Sequence, residues 1–412
     1  MLAAAMQRLG HEVLLVPLYT PITTDEKNVS SGKLFFGGLN VYLQQKFAIF
    51  RHLPRAIDRA LDHPRLVSLL ATLPSSTNQI NLADLTLSMV RGEHGHQRKE
   101  VWRLVDWLAH EPRIDIIHLS NLLIGGCAPI LKEKLSVPIV VTLQGDDVFL
   151  DALPEPTRSE ILAEMQELAK GVDRFIVHSR FYAEKMANYF NIPADRFSEV
   201  PLGIEESGYL HSREADNSSH PARIGYLARI CPAKGLHLLI DAYLELKRQE
   251  PYQHIELWVA GDLNEADQSY FQAQKERIRR AGYQADVHFV GRLSHEQKIA
   301  FLRQLDLFSV PALYPDPKGR YVLEALASGL PVVQPAHGAF PEMLARTGGG
   351  RLFAPGDPDA LVAALAELLT DHKARKMLAR EGPEGVVATA RAEHSAAATL
   401  NIYARLLGLS GG

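Results

Sequence analysis

The chain contains very little cysteine: only Cys127 and Cys231 occur among its 412 residues, far apart in the sequence. Two cysteines without a paired spacing predict neither a disulfide framework nor a zinc site. No apolar run approaches the length of a membrane span, and no basic segment followed by an apolar one comes after Met1. We therefore expect a cytoplasmic protein rather than a secreted or membrane-spanning one.

An excess of positive charge is also missing. The 44 Lys and Arg residues stand against 48 Asp and Glu residues, a formal net charge of −4, which gives no support for nucleic-acid binding. The 17 histidines do not form a metal-binding pattern, because His295-Glu296 lacks the second histidine of a zinc-binding helix. We predict no nucleic-acid partner, no bound metal and no cofactor.

Short β-rich runs alternate with helical patterns along most of the chain, which is typical of parallel sheets covered on both faces. A chain of 412 residues is too long for one ordinary core. The predicted fold class is α/β, with two doubly wound Rossmann-like domains facing across a cleft. We predict domains at 1–204 and 222–385, a polar linker at 205–221, and a C-terminal helix at about 386–412 that packs back on the first domain.

The chain opens on a helical pattern, Leu2–Arg8, which ends at Gly10 before a predicted strand at 13–18. Because an α/β domain normally opens on a strand, we expect a first strand and a glycine-bearing loop to be missing from this chain. The pattern from 28 to about 98 is irregular, with a turn at Gly37-Gly38 and an interrupted helical stretch at 46–67.

Within that irregular region, residues 46–67 alternate basic and apolar side chains. Such a segment fits a peripheral contact with an anionic membrane or an acidic acceptor. It also fits a solvated helix face packed on its own domain, which Pro54 and Pro64 favour because they interrupt the amphipathic length.

The stretch 311–333 reads as a loop, a helix that begins near Arg320, and a buried strand. Gly319 lets the backbone turn or approach a ligand closely. Asp316 in the loop and Glu324 in the first turns of the helix flank a helix N-terminus, which favours anions. The two acids fit a binding site, and they equally fit helix-end electrostatics.

An equivalent turn at 226–235 leaves another predicted strand and enters a predicted helix. Arg229 and Lys234 lie five positions apart on it and fit a diphosphate, since both cations can converge on one anion near a helix N-terminus. They also fit two surface cations. Gly261 and Gly291 end the next two strands, where glycine either admits a flat ligand such as a base or simply makes a turn.

In order and spacing, these segments resemble the family 4 glycosyltransferases of the GT-B fold over nearly the whole chain. Gly10-His11-Glu12-Val13 is similar to the family's G-H-E-V. Arg229 and Lys234 match its G-R-L-x-x-x-K-G turn, with Ala228 at the first glycine. Asp316, Gly319 and Glu324 match E-P-F-G-x-x-x-x-E. The segments 338–342 and 349–357 are similar to G-G-x-P-E and G-x-L-x-x-P-G-D-P.

The resemblance implies roles for the matched residues. Arg229 and Lys234 would neutralise the diphosphate of a nucleotide sugar, Glu324 would hold the ribose hydroxyls, and Asp316 would hold a hydroxyl of the transferred sugar. The further donor-binding residues that we predict are Gly261, Gly291, Leu293, Lys318, Gly319, Arg320 and Tyr321.

Three departures from the family pattern bear on activity. Asp316 is one methylene shorter than the family's glutamate. This difference would change which donor sugar is bound or weaken the binding of that sugar. Gln144 stands where the family has a histidine and cannot act as an acid or base. The missing first strand and loop would remove backbone that faces the diphosphate.

The predicted function is that of a retaining, metal-independent glycosyltransferase, a hexosyltransferase, acting on a nucleotide-sugar donor and a saccharide, lipid or small-molecule acceptor. Two alternatives remain. One is a catalytically impaired nucleotide-sugar-binding protein, and the other is a different GT-B enzyme such as a sugar-nucleotide epimerase.

Overall fold

The computed structural model describes residues 1–18, 28–31, 35, 79–111, 113–210 and 221–409. The amphipathic segment 46–67, the glycine pair 37–38 and residues 211–220 of the predicted linker lie outside these ranges. Within the described ranges, no helix combines the length and apolar character needed to cross a bilayer.

In the described residues the α-helices are Leu2–Arg8, Gln79–Val90, Arg98–His110, Ala128–Leu135, Asp146–Leu150, Thr157–Gly171, Arg180–Phe190, Leu236–Lys247, Gln268–Ala281, His295–Arg303, Arg320–Ala327, Phe340–Thr347, Pro358–Thr370, His372–Thr389 and Ala392–Leu406. The strands are β1 (Ile117–Leu119), β2 (Ile139–Thr142), β3 (Arg174–Val177), β4 (Phe197–Glu199), β5 (Arg223–Leu227), β6 (Glu256–Ala260), β7 (Val287–Gly291), β8 (Leu307–Phe308), β9 (Val332–Pro335) and β10 (Gly350–Phe353).

The chain forms two compact α/β units. One contains Leu2–Val200 with Ala396–Gly412, and the other contains Pro201–Ser395 with Met1. Each unit has its own parallel sheet and its own buried core. The α/β fold class with two Rossmann-like domains, predicted from the alternating pattern, is confirmed.

In the first unit the strands follow the order β1-β2-β3-β4, and every pair is parallel. Alternate residues of β2 pack on opposite faces of the sheet, since successive side chains of a strand point to opposite sides. Ile139 and Val141 belong to the main core of this unit. Val140 lies on the other face and packs in a cluster with Ile402 of the C-terminal helix.

In the second unit the strand order is β10-β9-β8-β5-β6-β7, again all parallel. Written by chain order within this unit, it is the Rossmann order 3-2-1-4-5-6. The order reverses between β5 and β8, which pair directly. Ligands of such sheets bind at the carboxyl ends of the strands beside this reversal.

Several helices of the second unit begin where the sequence carries a capping residue. Ser294 and Gln297 form a capping box at the start of the His295–Arg303 helix. Asp357 accepts a hydrogen bond from the N–H of Ala360 at 3.0 Å, and Pro358 then opens the next helix. These signals are local, so the sequence itself encodes where such helices begin.

Two predictions about local structure were wrong. Among the described residues, the predicted strand at 13–18 forms isolated bridges only, from Leu15 to Ser30 and from Leu18 to Phe35. The region predicted to be irregular contains the Gln79–Val90 helix, which packs on the Thr157–Gly171 helix. Tertiary packing outweighs weak local periodicity here.

Residues 205–210 of the predicted linker pack on the second unit. Ile204 and Tyr209 are fully buried in its core, and Glu206 forms an ion pair with Arg391 at 2.6 Å. Two apolar side chains separated by a polar stretch are too few to reveal a core pattern in the sequence.

Candidate donor-binding site

The turn 229–235 follows β5 and is held by the loop that follows β8. The N–H of Leu313 donates to the carbonyl of Ala233 at 2.9 Å. Gly235 has a φ of +70°, and a Cβ at this position would overlap the carbonyl oxygen of Pro311. Glycine is therefore required here for both backbone conformation and space.

The other side of the turn lies against the end of β6. The N–H of Ile230 donates to the carbonyl of Asp262 at 2.8 Å, and a Cβ on Gly261 would overlap the carbonyl oxygen of Ala228. Gly261 also donates its N–H to the carbonyl of Gly291 at 2.9 Å. The predicted glycines 261 and 291 are thus adjacent at the carboxyl ends of β6 and β7.

Tyr226, a residue that we did not single out from the sequence, contacts the backbone of the turn. Its side chain is fully buried, and its hydroxyl lies 3.2 Å from the carbonyl oxygen of Arg229 and 3.5 Å from that of Lys234. Burial raises the pKa of this phenol well above its ordinary value, so the hydroxyl stays a donor. A tyrosine in a strand looks like a core residue, and no sequence signal marks this function.

Lys234 and Asp316 form a buried ion pair. The lysine Nζ lies 2.6 Å from Asp316 Oδ2, and their side chains are 13% and 6% exposed. The same ammonium lies 4.8 Å and 5.0 Å from the ring centres of Tyr314 and Tyr321. The structure therefore brings together two of the predicted catalytic residues from the two sides of the strand-order reversal.

Asp316 also orders the start of the next helix. Its Oδ1 accepts from the N–H groups of Lys318 at 3.0 Å and Gly319 at 3.2 Å, and its Oδ2 accepts from the Tyr321 hydroxyl at 3.0 Å. Burial alone would raise the pKa of Asp316, but attraction to Lys234 and these hydrogen bonds lower it below its ordinary value. Asp316 is therefore ionised at neutral pH.

Lys234 responds in the opposite direction. Burial lowers its pKa, but the charge of Asp316 outweighs burial and the pKa is raised above its ordinary value. The lysine stays charged, as the binding of an anion requires.

The Arg320–Ala327 helix, which we call the site helix, begins at Gly319. Gly319 has a φ of +59°, and a Cβ there would lie 2.6 Å from Phe340 Cε1. The glycine match in the loop therefore has a local cause: the helix can start here only with a left-handed residue that lacks a side chain.

Glu324 lies on the site helix in a second ionic group. Its Oε1 accepts from Lys298 Nζ at 2.9 Å and lies 3.0 Å from Arg320 Nε. The Glu324 side chain is 5% exposed. The site helix thus joins the two ionic groups, with Tyr321 in the first and Arg320 and Glu324 in the second. Lys298 was not predicted, because its pairing depends on two helices that are remote in sequence.

The remaining predicted residues lie around these groups. A hydrogen bond to Cys231 raises the pKa of Arg229, which shares the turn with Lys234. Gly291 has a φ of +82° and open space at its Cβ position. Leu293 packs half-buried against the core of the second unit.

The position matched to the family histidine lies in the first unit, after β2. Gln144 Nε2 donates to the carbonyl of Ser120 at 2.8 Å. Beside it, Asp146 accepts from the N–H of Leu122 at 2.7 Å, and burial raises the pKa of Asp146 to about 6. Asp147 accepts from the Tyr182 hydroxyl at 2.5 Å. The polar groups of this loop organise its backbone.

Metal ligands do not cluster in the part of the chain that the structure describes. There, no group of three or more His, Cys, Asp or Glu side chains is placed to hold a metal ion. The charged groups beside β5 and β8 are instead cations and the carboxylates that pair with them.

The chain has two α/β units, each with a parallel sheet, and one unit carries two cations on the turn at its strand-order reversal. This is the architecture of GT-B glycosyltransferases. Family models match almost the whole chain: the "Glycosyl transferase 4-like domain" over residues 1–203 and "Glycosyl transferases group 1" over residues 211–385. The chain belongs to the family 4-like glycosyltransferases and is an enzyme of that family.

Curated relatives agree with this assignment. The chain is 26% identical over 293 residues to a glycogen synthase of Mycobacterium tuberculosis, covering 71% of this chain and 69% of that protein. It is 28% identical over 322 residues to a D-inositol 3-phosphate glycosyltransferase of Catenulispora acidiphila, covering 72% of each.

Solved structures share the fold. HepE of Anabaena in complex with UDP and glucose matches with a TM-score of 0.64 and 19% identity, over 74% of this chain and 82% of that chain. Sucrose-phosphate synthase from Thermosynechococcus elongatus matches with a TM-score of 0.63 and 20% identity, over 76% and 79%.

Proposed function

We propose that this enzyme transfers a hexose from a nucleoside diphosphate sugar to an acceptor hydroxyl, with retention at the anomeric carbon and without a metal ion. The observation that carries the proposal is the buried pair of Lys234 and Asp316 at the strand-order reversal, with Arg229 on the same turn. A buried lysine that is kept charged beside a helix start suits a diphosphate.

The donor would lie along the carboxyl ends of β5 to β8. In this arrangement the diphosphate contacts Arg229 and Lys234, and the ribose hydroxyls donate to Glu324. The base lies against Gly261, Gly291 and Leu293. The sugar and its phosphate face the backbone and side chains of Lys318, Gly319, Arg320 and Tyr321.

Electrostatic stabilisation of the leaving group is the main catalytic contribution in this proposal. As the bond from the anomeric carbon to the diphosphate breaks, its electron pair stays on the diphosphate oxygen. The acceptor oxygen bonds to the same carbon, and its proton passes to the departing diphosphate oxygen. Arg229 and Lys234 lie where the negative charge develops, so they stabilise the transition state more than the ground state.

The relatives support a nucleotide-sugar donor for this enzyme. HepE is described in complex with UDP and glucose, and the curated relatives are named as a glycogen synthase and a D-inositol 3-phosphate glycosyltransferase. The acceptor of this chain is proposed only by class, as a saccharide, a lipid or a small molecule. We place the reaction in the cytoplasm, where nucleotide sugars are available.

The test is a thermal-shift screen against UDP-, GDP- and ADP-sugars in EDTA, followed by a turnover assay with the donor that stabilises the protein most. We expect a raised melting temperature and donor turnover that EDTA does not abolish. Lys234→Ala and Glu324→Ala should each lose most of the turnover. Lys376→Ala is the matched control, because Lys376 is exposed on the His372–Thr389 helix.

Two results would contradict the proposal. Wild-type turnover in Lys234→Ala would remove the site assignment. If a donor stabilises the protein but is neither hydrolysed nor transferred to any acceptor class, the protein is a nucleotide-sugar-binding protein without transfer activity. Gln144 is consistent with that alternative, because an amide cannot act as a base.

A further inference from the structure

Lys298 makes an ion pair with Glu324 that links two helices of the second unit. The ammonium Nζ lies 2.9 Å from Glu324 Oε1, and the side chains of Lys298 and Glu324 are 12% and 5% exposed. A carboxylate so deeply buried keeps its charge at low cost only when a cation compensates it. Lys298 is the more buried of the two cations at this carboxylate, since the Arg320 side chain is 40% exposed.

The start of the His295–Arg303 helix fixes Lys298 in position. Ser294 Oγ accepts from the N–H of Gln297 at 3.3 Å, and Gln297 Oε1 accepts from the N–H of Ser294 at 2.9 Å. The N–H of Lys298 donates to the carbonyl of Ser294 at 2.8 Å, in the first turn. Because Leu293 immediately precedes this cap, the helix connects the proposed base-binding loop to Glu324.

The side chain of Lys298 also lies near an aromatic ring. Its Nζ lies 5.8 Å from the ring centre of Tyr209, and that ring packs edge-on against His295 at 5.6 Å. Arg303 donates to the carbonyl of Gly208 at 3.0 Å and holds this segment on the helix. The direction from which the lysine reaches Glu324 is therefore set by packed neighbours.

We propose that Lys298 is a positioning residue that orients the Glu324 carboxylate for the ribose of the donor. Lys298 and Arg320 both approach Oε1. With that oxygen held, Oε2 is the one that accepts from a ribose hydroxyl. The inference rests on the proposed function, and it extends that function by a residue that lies outside the matched motifs.

A purely structural role makes a different prediction. If Lys298 only neutralised a buried charge, its loss would lower stability and weaken every nucleotide equally. A positioning role requires that its loss remove selectively the preference for a ribose hydroxyl, because only the hydroxyl contacts the carboxylate that Lys298 orients.

The experiment compares the affinities of UDP, GDP and ADP with those of their 2′-deoxy and 3′-deoxy forms on the full chain by calorimetry. For the best-bound base, we expect the wild type to prefer the ribose form about tenfold or more, since a hydrogen bond to a charged group is lost. Lys298→Met and Lys298→Gln should reduce this ratio to about twofold or less. Lys298→Arg should restore most of it.

Lys247→Met is the matched control. Lys247 is a buried lysine of the same unit, paired with Asp286 at 2.8 Å and 2% exposed. Its loss should lower the melting temperature and leave the ribose-to-deoxyribose ratio at the wild-type value. Both Lys298→Met and Lys298→Gln are made, so that the test can be completed if either of them folds.

The outcomes separate the two proposals. Failure of the wild type to bind any nucleoside diphosphate overturns the proposed function and this inference with it. Wild-type preference for ribose that persists in a folded Lys298→Met or Lys298→Gln variant overturns this inference alone. A wild type that binds diphosphates without preferring ribose also overturns it.

Discussion

Lys234 and Asp316 lie 82 positions apart in the sequence, and the lysine Nζ contacts the carboxylate Oδ2 at 2.6 Å. The same carboxylate accepts from the N–H groups of Lys318 and Gly319 and from the hydroxyl of Tyr321. Asp316 therefore links the turn 229–235 after β5 to the loop before the site helix. The role of Asp316 toward a sugar hydroxyl, implied by the family motif, stays a prediction.

Asp316→Asn should destabilise the second unit and abolish most transfer. The substitution leaves a buried lysine without its counter-charge, which costs on the order of 3 kcal/mol. Chemical unfolding of the full chain with and without UDP measures the effect, and UDP should recover part of the loss because its phosphates compensate Lys234. The double variant Lys234→Met with Asp316→Asn should regain stability and remain inactive; an equally unstable double variant would contradict the pairing.

Tyr226→Phe should impair the turn that carries Arg229 and Lys234 while leaving the core filled. The hydroxyl shares its single proton between the carbonyls of Arg229 and Lys234, and its loss costs about 1 kcal/mol. We expect a small drop in melting temperature and a several-fold rise in the donor KM, measured with the best donor from the screen. Tyr243→Phe, which removes a buried hydroxyl 3.3 Å from the carbonyl of Ile255, is the control and should leave KM unchanged.

Gly319→Ala should reduce both stability and activity more than an equivalent change elsewhere. At Gly319 a Cβ meets a left-handed backbone and also Phe340 Cε1 at 2.6 Å. Gly282→Ala is the matched control, since Gly282 has a φ of +85° and open space around its Cβ position. The control should cost about 1 kcal/mol, which is the backbone contribution alone. Equal effects of the two substitutions would show that the contact with Phe340 does not matter.

The stability of the first unit should depend on pH because of Asp146. Burial raises its pKa to about 6, above its value in the unfolded chain, so the folded state binds this proton more tightly. The stabilisation is fully present below about pH 4 and is lost as the pH rises through about 6.

Asp146→Asn should therefore gain stability relative to the wild type between about pH 4 and pH 6, by about 3 kcal/mol in total, and no further above that range. Melting curves of both proteins at closely spaced pH values between 4 and 7 test this. The loss of one hydrogen-bond acceptor in the asparagine shifts the whole comparison without changing its slope. A difference that is constant across this range would show that Asp146 keeps an ordinary pKa.

Many elements of the fold could be predicted because their signals are local. The β3 strand Arg174–Val177 and the Leu236–Lys247 helix belong to the alternation of short β-rich runs and helical patterns from which the α/β class was predicted. The His372–Thr389 helix was missed because Pro383 lies within it, where proline normally interrupts a helix. Its buried residues, among them Leu378 and Val386, pack in the core of the second unit, and this packing compensates the break.

The sequence alone determined the α/β class, the family, and the positions of Arg229, Lys234, Gly319 and Glu324 at strand and helix ends, because short-range spacing and turn chemistry encode them. Only the tertiary structure decided which charges meet. It paired Lys234 with Asp316, placed Lys298 at Glu324, and directed the Tyr226 hydroxyl to two carbonyls of the turn. These contacts join segments remote in sequence, and only the order of the strands and the packing of the helices bring such segments together.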